Sequence, residues 1–241
     1  MTYILGARCK DGVVLIADRK FTIDAGAGYE YDDKLFGDLA GVIVGFSGSR
    51  GTFEIFRTRI RDYVITSQGA TKDKLILKLS ETTYDIGNKY GRGSDYGFDV
   101  LVGIQSINTP SVINYIYPNG TLEPVRNYKA IGAGSPYGSI YLKQIRNQGM
   151  TMEEVAELGY FIVRYIEKFE LDLTVGAGSN APQIWFLPDN SLNEVGQNPE
   201  PSSRYPDYQA QPALLEKFEK NTNERLKQSE RQINELFKFK Q

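Results

Sequence analysis

The sequence predicts a layered α+β domain followed by a helical appendage, and three observations carry that prediction. Apolar, β-branched runs recur at the start, middle and end of the first 188 residues, and two pairs of segments with helical periodicity separate them. After Leu187 the chain turns polar, is punctuated by prolines and then becomes strongly charged. Runs of strands around paired helices are the pattern of helices laid over both faces of stacked sheets. At 241 residues the chain is long enough to bury a sizeable core as one large domain with an appendage.

Tyr3 to Cys9 and Val13 to Ala17 read as two strands joined by Asp11-Gly12, a short hairpin signal because both positions tolerate positive φ. The run 40–46 suits a buried strand and delivers Ser47-Gly48-Ser49 to its end. From Thr52 the period changes, with Phe53, Phe56, Ile60 and Val64 on one face of a helix whose first turn lies beside Gly48. Thr71 to Lys89 is a second helix, with Leu75, Leu79, Thr83 and Ile86 inward, and 91–97 is a loop. Phe98 to Ile104 and Ser111 to Tyr117 are strands, the second entering the turn Pro118-Asn119-Gly120-Thr121.

Tyr128 to Ile131 is a short strand, and Pro136 opens a helix to Gln148. Thr151-Met152-Glu153-Glu154 is a capping box opening another, to about Phe169, with Val155, Leu158, Phe161 or Ile162, and Tyr165 on its apolar face. Gln183 to Leu187 closes the domain, which thus covers residues 1–188. Residues 189–212 read as a proline-rich linker and 213–241 as a charged helix. Its stripe of Leu215, Phe218, Leu226, Ile233, Leu236 and Phe237 is interrupted at Thr222 and Ser229. That predicts docking onto the domain or a partner rather than a long coiled coil.

Composition narrows the chemistry. The chain has no histidine, which excludes every His-based triad and every His metal site. A formal charge of −2, from 28 basic and 30 acidic residues, makes no electrostatic case for nucleic acid or an anionic membrane. Arg50, Arg57, Arg59 and Arg61 read as a solvated or subunit-contacting helix face. The single cysteine, Cys9, has no internal disulfide partner and lies in a strand pattern, so it reads as a small buried hydrophobe in a reducing cytoplasm. No leader pattern and no run of about eighteen apolar residues is present, so the expectation is a cytoplasmic protein that neither leaves the cell nor spans a membrane. The steps Gly132-Ala133-Gly134 and Gly176-Ala177-Gly178 complete no nucleotide-binding pattern, and no cofactor or metal is expected.

The chemistry that remains starts at Thr2. Removal of Met1, which a small second residue permits, leaves a hydroxyl and a free amine on adjacent carbons. An α-amine has a reference pKa of about 7.7–8.0, so near neutrality it is able to take the hydroxyl proton and serve as the nucleophile's own base. Asp18 ends the second strand, near the chain start that the hairpin folds back. Lys34 returns after the Gly- and Tyr-rich stretch 25–31. An ammonium held there by Asp18 would stabilise an alkoxide electrostatically.

Thr2, Gly12, Asp18, Lys34 and Gly48 in this joint spacing resemble the active-site frame of the proteasome β-subunit family of N-terminal-nucleophile hydrolases, over residues 2 to about 188. The resemblance implies a four-layer αββα sandwich. It implies Thr2 as nucleophile and base, Asp18 and Lys34 as assistants, the Gly48 amide as oxyanion donor and Asp172 as a further site carboxylate. Substrate contacts are expected from Lys20, Phe21, Phe46 and Ser49, with Phe46 lining the pocket for the side chain before the cleaved bond and favouring small or unbranched groups. The family's Gly-Ser-Gly-Ser segment appears as Gly132-Ala133-Gly134-Ser135, and its Arg-Asp-x-x-Ser-Gly segment as Leu171-Asp172-Leu173-Thr174-Val175-Gly176. Lys20 replaces the usual arginine. Two hydroxyls near the threonine amine are therefore absent. The implied activity is threonine-type peptide hydrolysis through an acyl-enzyme, on peptide or unfolded-protein substrates, in a homo-oligomeric ring or beside other proteasome-like subunits. Two alternatives share the frame: a ligase similar to the connectase-type protein ligases, and a non-catalytic ring or scaffold subunit that keeps Met1.

Overall fold

The structure, a computed structural model, describes residues 2–23, 28–39, 41–67, 71–90, 98–105, 109–143, 149–189 and 209–238. Two antiparallel sheets stack face to face. The first has the order β10-β1-β2-β11, from β1 (Ile4–Cys9), β2 (Gly12–Ala17), β10 (Tyr128–Ile131) and β11 (Gln183–Pro188). The second runs β5-β6-β7-β8-β9, from β5 (Leu35–Leu39), β6 (Val42–Ser47), β7 (Asp99–Ile104), β8 (Val112–Ile116) and β9 (Leu122–Val125). A ribbon of β3 (Lys20–Ile23) and β4 (Gly28–Tyr31) pairs with neither, although Phe21 packs into the cluster on the outer face of the second sheet.

Three buried clusters define the layers. Between the sheets lie Ile4, Leu15, Leu35, Ile43, Leu101 and Trp185 among others. Leu5, Val14 and Ile16 point the other way, against Val155, Ile162 and Val163 of α4 (Met152–Lys168). Strand side chains alternate between faces, and here both faces are covered, which is why β2 reads as an unbroken apolar run and β1 as one broken only at Arg8. On the outer face of the second sheet, Val44, Phe46 and Val102 pack against Phe53, Phe56 and Leu79 of α1 (Arg50–Thr66) and α2 (Lys72–Tyr90). The result is the four-layer αββα arrangement. The sheets approach closely at Gly103, where a β-carbon would stand 3.1 Å from both the Leu15 and the Leu187 side chains of the facing sheet.

The capping box at Thr151 is present in both directions, and the Asp11 carboxylate at the first hairpin tip accepts from Met152 N–H at 2.8 Å. The hairpin therefore holds the start of α4. Helix α3 (Ser135–Leu142) ends at Lys143, and the expected continuation over 144–148 lies outside the described residues. So do the loop 91–97 and residues 190–208 of the linker. The strands β3, β4, β5 and β9 lack a sequence signal. β4 and β9 are mostly exposed and so carry no apolar alternation, while β5 is interrupted by a register shift between Phe36 and Leu39.

Helix α5 (Pro212–Lys238) lies across α4, with Phe218 and Leu226 buried in the same cluster as α4. Thr222 is buried between them, so it belongs to the contact stripe rather than breaking it. Ahead of α5, Ala210 N–H donates to Ile184 C=O at 2.9 Å and Gln209 bridges Trp185, covering the outer edge of β11. One side chain ties the two sheets together beside the future site. Gln183 Oε1 accepts from the Lys34 and Leu35 N–H groups at 2.6 and 2.9 Å, and its Nε2 donates to Leu35 C=O at 3.3 Å.

Candidate active site

Strand β2 ends where its last pair with β1 is made, Ala17 opposite Ile4, and the next residue is Asp18. Its backbone N–H donates to Tyr3 C=O at 3.0 Å, so the ladder carries the carboxylate to the residue after Thr2. Oδ1 accepts from Tyr3 N–H at 2.8 Å and from Lys34 Nζ at 2.7 Å. Oδ2 accepts from the Lys20 and Gly176 N–H groups at 3.2 and 3.3 Å. Lys34 Nζ also donates to Lys20 C=O at 2.6 Å and lies 4.8 Å from the centre of the Phe21 ring.

Both members of the Asp18–Lys34 pair are fully buried. Burial pushes the Asp18 carboxyl above the ordinary carboxylate range, against the opposing pull of the Lys34 ammonium and the Tyr3 and Gly176 amides. Burial likewise pulls Lys34 below the ordinary lysine value, countered by Asp18 and, more weakly, by Asp172. A buried pair of this kind is costly to desolvate and is weak ground for stability, so its retention points to a use.

Thr2 is fully buried, and among the described residues its Oγ1 has no hydrogen-bond partner. Its carbonyl accepts from Gly134 N–H at 3.2 Å. Gly132, at φ +87°, lies against it: a β-carbon there would stand 2.0 Å from Thr2 O and 2.9 Å from Ser47 Oγ. The end of β6, the 132–134 turn and the start of the chain thus meet at one point. Gly48 follows Ser47 directly. A β-carbon on Gly48 would press on the Phe46 ring at 2.7 Å and on Phe98 at 2.8 Å, so only glycine fits where β6 passes into α1. Where the family pattern has its second serine, Val175 is buried with a methyl group against Gly134.

The remaining sequence-derived residues divide. Lys20 contributes its backbone to the Asp18–Lys34 cluster, while its ammonium leaves to cover the Tyr29 ring at 3.8 Å. Phe21 is buried beside Lys34. Phe46 does not face open space as a pocket wall would. It is fully buried, 5.3 Å from Phe98 in a stacked pair and 5.6 and 5.2 Å from Phe53 and Phe56. The Ser49 hydroxyl is engaged as the cap of α1, accepting from Thr52 N–H at 3.2 Å. Asp172 directs its carboxylate to its own turn, Oδ1 accepting from Thr174 N–H at 2.8 Å and from the Thr174 hydroxyl at 2.5 Å. Arg50 is not simply solvated: it pairs with Glu30 and Asp32 of the β3–β4 region.

Two contributors escaped the sequence reading. Gly176 supplies an amide to Asp18, and its carbonyl accepts from the Arg19 and Lys20 N–H groups at 2.8 and 3.0 Å. Gln183 fixes the backbone of Lys34. The Gly-Ala-Gly step at 176–178 was the available signal for the first, and nothing in the sequence marks the second. Among the described residues no group of acidic or cysteine side chains forms a metal-binding cluster, and no helix is long and apolar enough to cross a membrane.

Comparison with known proteins gives a fold and a family. No curated protein matches the chain. Solved structures do, at the level of fold. Anbu, an ancestral beta-subunit, from Yersinia bercovieri aligns with a TM-score of 0.66 at 16% identity, covering 77% of this chain and 82% of that one. Anbu from Hyphomicrobium sp. strain MC1 aligns at 0.68 and 13% identity, over 94% of this chain and 96% of its own. The Anbu complex of Pseudomonas aeruginosa, solved as a helical assembly, aligns at 0.63 and 16% identity with the same coverage. A family model for the proteasome subunit matches residues 2–171, the span that contains the hairpin, the Asp18–Lys34 pair, the Gly48 corner and the 132–134 turn. By that match, and with the four-layer fold beneath it, the chain belongs to the proteasome subunit family.

Proposed function

We propose that this chain is an N-terminal threonine hydrolase that attacks peptide carbonyls through Thr2. The observation that carries the reading is the fully buried Asp18–Lys34 pair, whose carboxylate also holds the Tyr3 amide, one peptide bond from the Thr2 side chain. Once Met1 is removed, the α-amine takes the Oγ1 proton as the oxygen attacks the carbonyl carbon. The Gly48 amide, at the N-terminal end of α1, receives the oxyanion, and the helix dipole favours negative charge there. The proton passes to the departing amine as the C–N bond breaks, leaving an ester on Thr2, which water then hydrolyses. The ammonium of Lys34 stabilises the developing alkoxide.

Intact-mass measurement after treatment with a threonine-directed acylating probe tests this. The expected product is a chain lacking Met1 and carrying one probe group, with no labelling of a Thr2→Ala variant. Retained Met1, or equal labelling of both proteins, would overturn the reading.

One observation supports a second outcome for the same ester. The positions of the two family serines hold Ala133 and the buried Val175, so no hydroxyl from them stands beside the amine to order a water. Transfer of the acyl group to another amine is favoured by that arrangement. A peptide pool supplied with an amine-bearing acceptor distinguishes the outcomes by whether fragments or joined peptides accumulate. Self-assembly of copies belongs to the same proposal, and light scattering of the purified chain measures it.

A further inference from the structure

We propose that the carboxyl-terminal helix is a positioning element of the active site: through Glu219 and Arg164, α5 sets the 176–181 loop and, through that loop, the Asp18 carboxylate. The inference rests on the reading of Thr2 as nucleophile and adds to it a dependence on a helix beyond the matched family span.

The connection is continuous. On α4, Arg164 Nη1 donates to Gly178 C=O at 2.8 Å, and Nη2 donates to Asn180 C=O at 2.9 Å and to Glu219 Oε2 of α5 at 3.3 Å. Nη1 also meets Glu167 Oε2 at 3.0 Å, one turn along α4. The other oxygen of Glu167 accepts from the Ala177 and Gly178 N–H groups at 3.2 and 2.9 Å. The loop is thus held by its carbonyls and by its amides from a single turn of helix. At its other side Gly176 donates to Asp18 Oδ2 and accepts from the two backbone amides that follow Asp18, while Arg19 Nε donates to Ala181 C=O at 2.7 Å.

The α5 end of this chain of contacts is itself fixed. The Tyr160 hydroxyl donates to Glu219, and the Tyr160 ring packs 6.1 Å from Phe218. Arg164 is suited to its place because one planar guanidinium reaches two carbonyls and two carboxylates in fixed directions, which a lysine ammonium does not reproduce. Coupling through such a network of packed and hydrogen-bonded groups is what allows a remote residue to change the geometry of a nucleophile.

The test uses the full chain with Glu219→Gln and Arg164→Lys. The control is Lys217→Met, which removes the 2.6 Å pair between α5 and Glu153 without touching Arg164. Two readouts are taken: the acylation rate of Thr2 against probe concentration, and amide hydrogen exchange over 174–181. Both site variants are expected to lower the limiting acylation rate several-fold at unchanged half-saturation and to speed exchange at 176–181, with the control within about twofold of the parent. A limiting rate within about twofold of the parent in both site variants, or a control as slow as they are, would overturn the proposal. If the parent is not acylated, the Thr2 reading fails on its own. The relay is then decided by exchange alone, and unchanged protection of 176–181 in both variants ends it.

Discussion

Gly132 and Thr2 are in such close contact that a β-carbon on the glycine would lie 2.0 Å from the Thr2 carbonyl oxygen. The positive φ of +87° at Gly132 compounds the restriction, since a side chain there is strained whatever the space. Gly132→Ala is therefore expected to displace the nucleophile's own backbone. Acylation of Thr2 should fall on the order of 100-fold, the scale of a 1 Å misplacement, and kinetics with the acylating probe read it directly.

Gly12 supplies the contrast. A β-carbon there meets Leu187 O at 2.4 Å and the Met152 sulfur at 2.6 Å, at the hairpin end remote from Thr2. Gly12→Ala should cost about 1–3 kcal/mol, the range for overpacking, and lower the melting temperature. The acylation rate of the folded fraction should stay near that of the parent, which calorimetry and probe kinetics on one sample distinguish.

Lys34→Met removes the cation from a fully buried carboxylate. Leaving such a charge unpaired costs about 3–5 kcal/mol. Burial already raises Asp18, so the folded chain holds that proton more tightly than the unfolded chain does, and loss of the ammonium raises it further. A neutral carboxyl needs no cation, so the variant's deficit should be largest above the raised Asp18 value and shrink as pH falls through it. Denaturant midpoints of parent and variant followed from mildly alkaline to acidic pH measure this, and a deficit that grows in acid would contradict it.

Phe46 fills the space beneath Gly48 together with Phe53, Phe56 and Phe98. In Phe46→Ala the cavity should cost about 3–5 kcal/mol. Calorimetry of parent and variant measures that loss as a lowered melting temperature.

The parts of this molecule that were legible in its sequence are those where burial imposes a period. The apolar runs of β1 and β2 and the three-to-four spacing of α1, α2 and α4 reflect side chains forced to both faces or to one, and the Thr151 capping box reflects the unpaired amides of a helix start. Asp18 and Gly48 were visible at the ends of β2 and β6, and Lys34 only through the joint spacing with Thr2 and Gly12 that resembles the family frame. The ribbon β3–β4 escaped because β4 exposes its tyrosines instead of burying them. Phe46 was read as a pocket wall because its place in the sequence says that it approaches Gly48. Only the packing of three neighbouring rings shows that it is enclosed. Asp172 and Ser49 illustrate the same limit: a polar side chain near a site also serves local backbone amides, and sequence does not tell which acceptor wins.

The margin shared by β5 and β11 has a consequence for edge pairing. An open strand border normally invites another chain to extend the sheet. Here the Gln183 amide occupies the outward groups of Lys34 and Leu35, and residues 209–210 lie along β11. That flank is closed from within, so a strand from elsewhere finds no free backbone to pair with beside Leu35 or Ile184.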